Sequence, residues 1–152
     1  MRNTTQLIFL ALGLLQVAQA KIQGAEAPDF GTQVYPILKE HCLRCHAAPY
    51  TDARSGRLKK PKGGVRFDTL ETLKKGYLDD EEQAKKLFVA GKPELSPLYT
   101  STALPADHDD IMPASGAPLT PAQQNVIKNW ILDGAQFKGF EFPNYTNPKA
   151  KK

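Results

Sequence analysis

The chain has 152 residues, with 20 lysines and arginines against 16 aspartates and glutamates, and only two cysteines. Its net charge of +4 is too slight to indicate a nucleic-acid partner. The two cysteines lie three positions apart and could close only one tiny loop, which excludes a disulfide-rich scaffold, and the length fits one small domain.

The first twenty residues have the pattern of a secretory signal peptide. Arg2 supplies a positive start, residues 7–17 form an apolar stretch, and residues 18–20 are Ala-Gln-Ala, a typical cleavage site. The apolar stretch is too short to span a bilayer. The sequence therefore predicts cleavage near Ala20/Lys21 and export to the periplasm or another compartment outside the cytoplasm, without stable membrane insertion. An uncleaved membrane anchor is the alternative.

After a flexible lead-in at 21–28, one domain is predicted at 29–136. Apolar residues at helical spacing from Phe30 predict a helix that runs into the cysteine pair, with Pro36 in its first turn or at a kink. Residues 47–64, which are rich in proline, glycine and basic side chains, predict a long loop.

Two helices and a shorter helical turn are predicted next. One is capped by Asp68 or Thr69 and ends at Gly76. Another, over residues 79–91, has carboxylates at its start and lysines further on, as the helix dipole favours. Residues 96–103 add one turn or two, and no segment has the sustained alternation of a strand.

The clearest predicted helix is the last one. Thr120, Pro121 and Gln123 form an N-cap, a proline at the first helical position and a capping-box partner, and Gly134 is placed to end the helix. Its apolar face consists of Val126, Ile127, Trp130 and Ile131. In the tail at 137–152, three phenylalanines are expected to pack back on the domain, and the lysine-rich end is expected to be disordered.

A six-residue stretch, His-Cys-Leu-Arg-Cys-His at 41–46, holds both cysteines and two of the three histidines. Cys42, Cys45 and His46 form the Cys-x-x-Cys-His signature of c-type haem attachment, in which each sulfur forms a thioether and the histidine reaches the iron. A thiol redox pair is one alternative. A structural zinc site is the other, and it would use the two cysteines, His108 and either His41 or His46.

A haem iron held by His46 needs a second axial ligand. Met112 is the only methionine beyond position 1, and it lies in a loop rich in proline and glycine just before the last helix. Methionine with histidine is the electron-transfer arrangement that raises the reduction potential. His108 or an open position is the alternative, and His41 is expected to be a solvated or hydrogen-bonded helix residue.

Four stretches of the chain resemble the planctomycete-type single-haem cytochrome c domain, a relative of the class I cytochromes c. They are residues 34–46, 63–76, 91–99 and 110–135. The resemblance implies an all-α, class I cytochrome c-like fold wrapped around one covalently bound haem c, with Cys42 and Cys45 as attachment points and His46 and Met112 as axial ligands. Two features depart from the family: Ala114 stands where a second proline is common, and the loop after the haem motif is longer and more basic.

The leading functional hypothesis is an exported monohaem electron carrier, not an enzyme, with an unidentified redox protein as donor and another as acceptor. A haem-based sensor of a small ligand and a redox subunit of a larger exported complex are the alternatives. The basic residues of loop 54–66 form either a solvated surface or a patch that docks an acidic partner. They are Arg54, Arg57, Lys59, Lys60, Lys62 and Arg66.

Overall fold

The computed structural model of the protein describes residues 26–151. The predicted signal peptide at 1–20 and most of the lead-in at 21–28 therefore lie outside the described residues. The α-helices are α1 (Tyr35–His41), α2 (Leu70–Lys75), α3 (Pro97–Thr100) and α4 (Pro121–Leu132). The strands are β1 (Tyr50–Thr51), β2 (Leu58–Lys59), β3 (Tyr77–Leu78) and β4 (Ala84–Lys85). Single turns of other helical types occur at Phe30–Val34, Lys62–Gly64 and Pro93–Leu95.

The all-α, class I cytochrome c-like fold predicted from the sequence is wrong. Helical residues of all types make up 32% of the described chain, in short helices, and two small antiparallel sheets are present, so the architecture mixes α and β structure. The composition explains the difference, because 12 prolines and 11 glycines break the chain into short elements joined by long loops.

The predicted first helix is divided into two differently wound segments. Asp29 caps the first one, because its Oδ1 accepts a hydrogen bond from the Thr32 amide at 2.9 Å. The Tyr35 amide then bonds to the Phe30 carbonyl, which makes a wide π-type turn before α1 begins. Pro36 has no amide hydrogen to donate to the preceding turn, and this accounts for the change of winding at that point.

The helix predicted to start near Thr69 is confirmed as α2. The Thr69 hydroxyl accepts a hydrogen bond from the Thr72 amide at 3.1 Å, and Gly76 ends the helix with a φ of 83°. A Cβ atom at Gly76 would overlap the carbonyl oxygen of Lys85. Glycine is therefore required for the chain to pass this closely beside β4.

The helix predicted over residues 79–91 is wrong, because a β-hairpin occupies the start of that segment. β3 and β4 pair with Tyr77 opposite Lys85. Between them, the Asp79 carboxylate accepts hydrogen bonds from the amides of Glu81 at 3.1 Å and Gln83 at 2.8 Å. An aspartate that accepts from the following amides caps a helix or closes a turn equally well, and here the strand pairing selects the turn.

The last predicted helix is confirmed as α4, with its capping box. The Gln123 amide donates to the Thr120 hydroxyl at 3.3 Å, and the Thr120 amide donates to Oε1 of Gln123 at 2.9 Å. Gly134 follows the helix with a φ of 92°. Over residues 26–151, no helix is long and apolar enough to cross a membrane.

The hydrophobic core joins the first turn, α4 and the tail around Phe30. This residue is fully buried, and its ring centroid lies 5.2 Å from that of Trp130 and 4.6 Å from that of Phe137. The rings of Phe140 and Phe142 lie 5.2 and 5.6 Å from it. The expected packing of the three tail phenylalanines on the domain is confirmed.

The end of the tail also contacts the domain. Nδ2 of Asn147 donates to the carbonyl of Arg44 at 3.0 Å, within the cysteine motif. Further on, the Lys151 amide donates to the carbonyl of Thr51, in β1, at 2.8 Å. The tail therefore runs beside β1 and reaches the segment that carries the cysteines. The expected disorder within 137–152 stays a prediction.

Candidate functional site

One cavity brings together the four residues selected from the sequence, Cys42, Cys45, His46 and Met112. Its volume is about 240 Å³, and one side is open to solvent. The other walls are largely apolar, and they include Val65, Phe67, Tyr77, Leu87, Leu98 and Pro113. The lining suits a mostly apolar group that extends into the open side of the cavity.

The cysteine motif continues directly from α1. The Cys42 amide bonds to the Leu38 carbonyl at 2.9 Å and ends the helix. The amides of Cys45 and His46 then both bond to the Cys42 carbonyl, at 3.1 and 3.0 Å. Leu43, between them, is fully buried and anchors this turn in the core. As a result, the two sulfurs and the imidazole are presented on one short turn at the cavity wall.

Both cysteines are free thiols. Burial raises the pKa of Cys42 to about 12, and the proximity of Cys45 adds to the effect. The Cys42 side chain is therefore neutral at physiological pH. A thioether is neutral as well, so conversion of this sulfur to a thioether places no charge in the apolar wall.

The residues required for the zinc alternative do not come together. Across residues 26–151, no group of three or more histidine, cysteine, aspartate or glutamate side chains is arranged to hold a metal ion. His108 does not line the cavity that contains the cysteines. A haem iron takes only one histidine and one methionine from the protein, so this finding does not bear on haem.

His46 is held by the segment that precedes α2. Its side chain is buried, and its Nδ1 lies 3.3 Å from the carbonyl oxygen of Val65. The Phe67 ring lies 5.3 Å from the imidazole, and the Phe67 amide donates to the His46 carbonyl at 2.9 Å. Burial lowers the pKa of His46, which favours the neutral ring. With the proton on Nδ1, bonded to Val65, the lone pair of Nε2 is free for a metal.

A partly buried ion pair fixes this segment against the motif, and sequence reasoning missed it. The Asp68 carboxylate accepts hydrogen bonds from Nη2 of Arg66 at 2.7 Å, from Nε of Arg66 at 2.9 Å and from the Ala48 amide at 3.1 Å. Asp68 was expected as a helix cap, and Arg66 as one of the solvated or docking cations. The only signal of this ion pair in the sequence was the spacing of Arg66 and Asp68, because an arginine and an aspartate two residues apart in an extended segment can pair.

Replacing Arg66 with glutamine is expected to move acid unfolding to higher pH by about one unit. Burial raises the pKa of Asp68, but the hydrogen bonds and charge of Arg66, together with hydrogen bonds from the backbone amides of Asp68 and Ala48, hold this pKa below its usual value. Such a carboxyl stabilises the fold above its unfolded pKa of about 3.9, and the stabilisation is lost as pH falls through the folded pKa. Without Arg66 the folded pKa rises, so the loss begins at higher pH.

An acid titration followed by far-ultraviolet circular dichroism measures this midpoint. Arg57→Gln is the matched control, because Arg57 is exposed and lies outside the pair. Equal midpoints for Arg66→Gln, Arg57→Gln and the wild type would show that the ion pair does not set acid stability.

The second predicted ligand lies on a loop attached to α3. The Met112 amide donates to the Ser101 carbonyl at 2.9 Å, and the half-buried Met112 side chain lines the cavity. His108 lies earlier on the same loop, where its Nδ1 accepts a hydrogen bond from the Asp110 amide at 3.0 Å. The structure thus places Met112, and not His108, at the cavity.

His41 also lines the cavity, but its ring is engaged. Nε2 of Gln123, in α4, donates to Nε2 of His41 at 3.1 Å. The expectation that His41 is a hydrogen-bonded helix residue is confirmed. The same contact joins the end of α1 to the capping box of α4.

The residues present fit a haem c. Two free thiols, one neutral buried imidazole and one thioether side chain line a cavity whose other walls are mostly apolar. Cys42 and Cys45 would attach the porphyrin, and His46 and Met112 would bind its iron.

No protein-family model matches the chain, and no curated protein or solved structure matches it. The resemblance to the planctomycete-type domain therefore depends on the sequence stretches quoted above.

Proposed function

We propose that this protein is an exported monohaem c-type cytochrome that transfers electrons. Its haem would be attached through Cys42 and Cys45 and ligated by His46 and Met112. The observation that supports this most is that Met112, far along the chain from the cysteine motif, lines the same cavity as the three motif residues. Export is supported by the leader pattern of the sequence and by the maturation of bacterial c-type haem outside the cytoplasm.

The arrangement favours a carrier over a catalyst. When bound, the haem supplies a one-electron redox centre. His46 and Met112 would both hold the iron, which would leave it no free position for a substrate. Histidine and methionine together would favour the ferrous state, and the largely apolar lining of the cavity would act in the same direction. The reduction potential would then be set by residues of this chain.

Two spectra test the proposal on the whole protein, expressed with its leader in a host that carries a haem c maturation system. The visible spectrum and haem content after extraction with acidified acetone report covalent haem, and one haem per chain is expected to remain. The near-infrared spectrum of the oxidised protein should show a methionine-to-iron charge-transfer band. The same gene expressed without the maturation system is the control, and a colourless exported product from the competent host would contradict the proposal.

Two further measurements separate the alternatives. A small-ligand sensor would bind carbon monoxide readily when reduced, whereas a carrier with both axial positions filled should resist it. A subunit of a larger exported complex would co-purify with a partner in constant proportion.

A further inference from the structure

Cys45 lies where three concave surfaces meet. It lines the cavity described above, and it also lines two open clefts next to that cavity. One cleft lies beside Tyr50 and Asn147, and the other lies between Tyr50, Ser115 and Lys149. If Cys45 is an attachment point, as the proposed function holds, a redox partner seated on these clefts would lie beside the attached haem.

This surface is strongly basic. Five exposed cations line the three concavities, and they are Arg44, Lys59, Lys60, Lys62 and Lys149. Within residues 26–151, none of the five lies within ion-pair distance of a carboxylate. We call these five residues the basic face. Asp52 is the one carboxylate that lines the same concavities, and its Oδ1 accepts hydrogen bonds from the Ser55 amide at 2.8 Å and the Ser55 hydroxyl at 2.9 Å.

Three distant parts of the chain build the basic face. Arg44 lies inside the cysteine motif, and its Nη2 is 3.3 Å from the Ser115 hydroxyl, on the loop of Met112. Lys59 lies opposite Tyr50 in the β1–β2 pair. The tail brings Lys149 alongside, since Asn147 is bonded to the Arg44 carbonyl. Residues that are far apart in the sequence thereby place five cations on one surface.

The basic face differs from the basic loop identified in the sequence. Arg54 and Arg57 line none of the three concavities, and Arg66 is engaged by Asp68. Lys149, which lies outside that loop, belongs to the face.

We infer that the basic face docks an acidic protein that exchanges electrons with the haem beside Cys45. The inference rests on the proposed function, because only a redox centre at Cys45 makes proximity to this surface matter. A positive surface around the exchange point raises the encounter rate with a negatively charged partner and repels a positive one. The wider of the two clefts has a volume of about 460 Å³ and is lined by Arg44, Lys59 and Lys149, so it has room for an acidic side chain of a partner.

The test measures oxidation of the reduced holoprotein by stopped flow, with ferricyanide as an anionic probe and a cobalt(III) phenanthroline complex as a cationic probe. The variant Lys59→Glu/Lys149→Glu reverses two charges of the basic face. Its control, Lys39→Glu/Lys92→Glu, makes the same change in net charge at two exposed lysines that border none of the three concavities. Polyglutamate and anionic lipid vesicles are added separately as competitors.

At an ionic strength of about 10 mM, the face variant should react with ferricyanide about tenfold more slowly than wild type, and the control less than twofold more slowly. This difference in rate between the face variant and wild type should vanish by about 0.5 M salt. The cationic probe should instead react faster with the face variant than with wild type. Polyglutamate should slow the wild type and the control variant but not the face variant. Equal rates for the two variants, or inhibition by anionic vesicles without inhibition by polyglutamate, would overturn the inference, the latter in favour of a membrane surface.

Haem content, measured first on every sample, keeps this test separate from that of the proposed function. A wild type without covalent haem contradicts the proposed function. A haem-loaded wild type whose oxidation rates are not changed by reversing charges of the basic face contradicts only the docking inference. Lys59→Gln/Lys149→Gln serves in place of the charge reversal if the reversed variant loads less haem, and about a threefold effect in the same direction is then expected.

Discussion

Replacing both Cys42 and Cys45 with alanine is expected to abolish covalent haem and to leave little cooperatively folded protein. The first effect follows from the proposed function, in which these two sulfurs would form the thioether bonds to the haem. The second follows because Phe67, Leu87 and Leu98 line the cavity and also belong to the hydrophobic core. Without a group that fills the cavity, these side chains lose packing on one side, and a domain with about 5–15 kcal/mol of stability has little reserve.

Two measurements check this expectation. A haem stain after denaturing electrophoresis should be positive for wild type and negative for the double variant, and thermal unfolding followed by circular dichroism should lose its sharp transition. Cys45→Ala is the matched control, because Cys42 alone still provides one attachment and should keep the stain. A sharp transition in the colourless double variant would show that the core is complete without a cofactor.

The parts of the fold that the sequence predicts correctly are those set by local hydrogen bonds. Thr120 and Gln123 are three residues apart and bond to each other, so the start of α4 needs no information from the rest of the chain. The same holds for Thr69 at the start of α2. The Cys-x-x-Cys-His turn is local as well, since the amides of Cys45 and His46 both bond to Cys42.

Prediction from sequence fails where the same residues suit two different local structures, such as a helix and a hairpin. The Asp79 carboxylate accepts from the amide two residues later, as either an N-cap or a turn residue does, and the carboxylates and lysines that follow suit an amphipathic helix. A hairpin forms instead of a helix because β3 pairs with β4 and because Gly76 permits the close approach of the chain to β4. The all-α prediction failed for a different reason, because strands of two residues are too short to show a detectable alternation of apolar and polar side chains.

The candidate site, like the fold, was predictable from the sequence only in part. The chemistry proposed for it is indicated in the sequence by the motif and by Met112, but the residues that support and surround it are not. The Asp68 bond to the Ala48 amide spans 20 residues, and the Asn147 bond to Arg44 spans 103. Such contacts follow from tertiary packing, and no spacing rule of the sequence predicts them. The basic face is therefore visible only in the structure.

Replacing Met112 with alanine is expected to lower the reduction potential by on the order of 0.1 V, within the range of about 0.8 V that axial ligands span. Under the proposed function, the substitution would remove the thioether ligand that favours the ferrous state and would open its position on the iron to solvent. The reduced variant should then bind carbon monoxide, and the oxidised variant should lose the methionine-to-iron band. The fold should persist, because the Met112 side chain is only half-buried and its amide still bonds to Ser101.

His108→Ala is the matched control, since it removes the competing ligand from the same loop. The His108 ring lies outside the cavity and bonds to the Asp110 amide, so its removal should change neither the band, nor the potential, nor the resistance to carbon monoxide. Loss of the band in His108→Ala with its retention in Met112→Ala would reverse the ligand assignment. If neither variant changes the spectrum and the wild type already binds carbon monoxide, the second axial position is open, and a small-ligand sensor replaces the electron carrier as the better hypothesis.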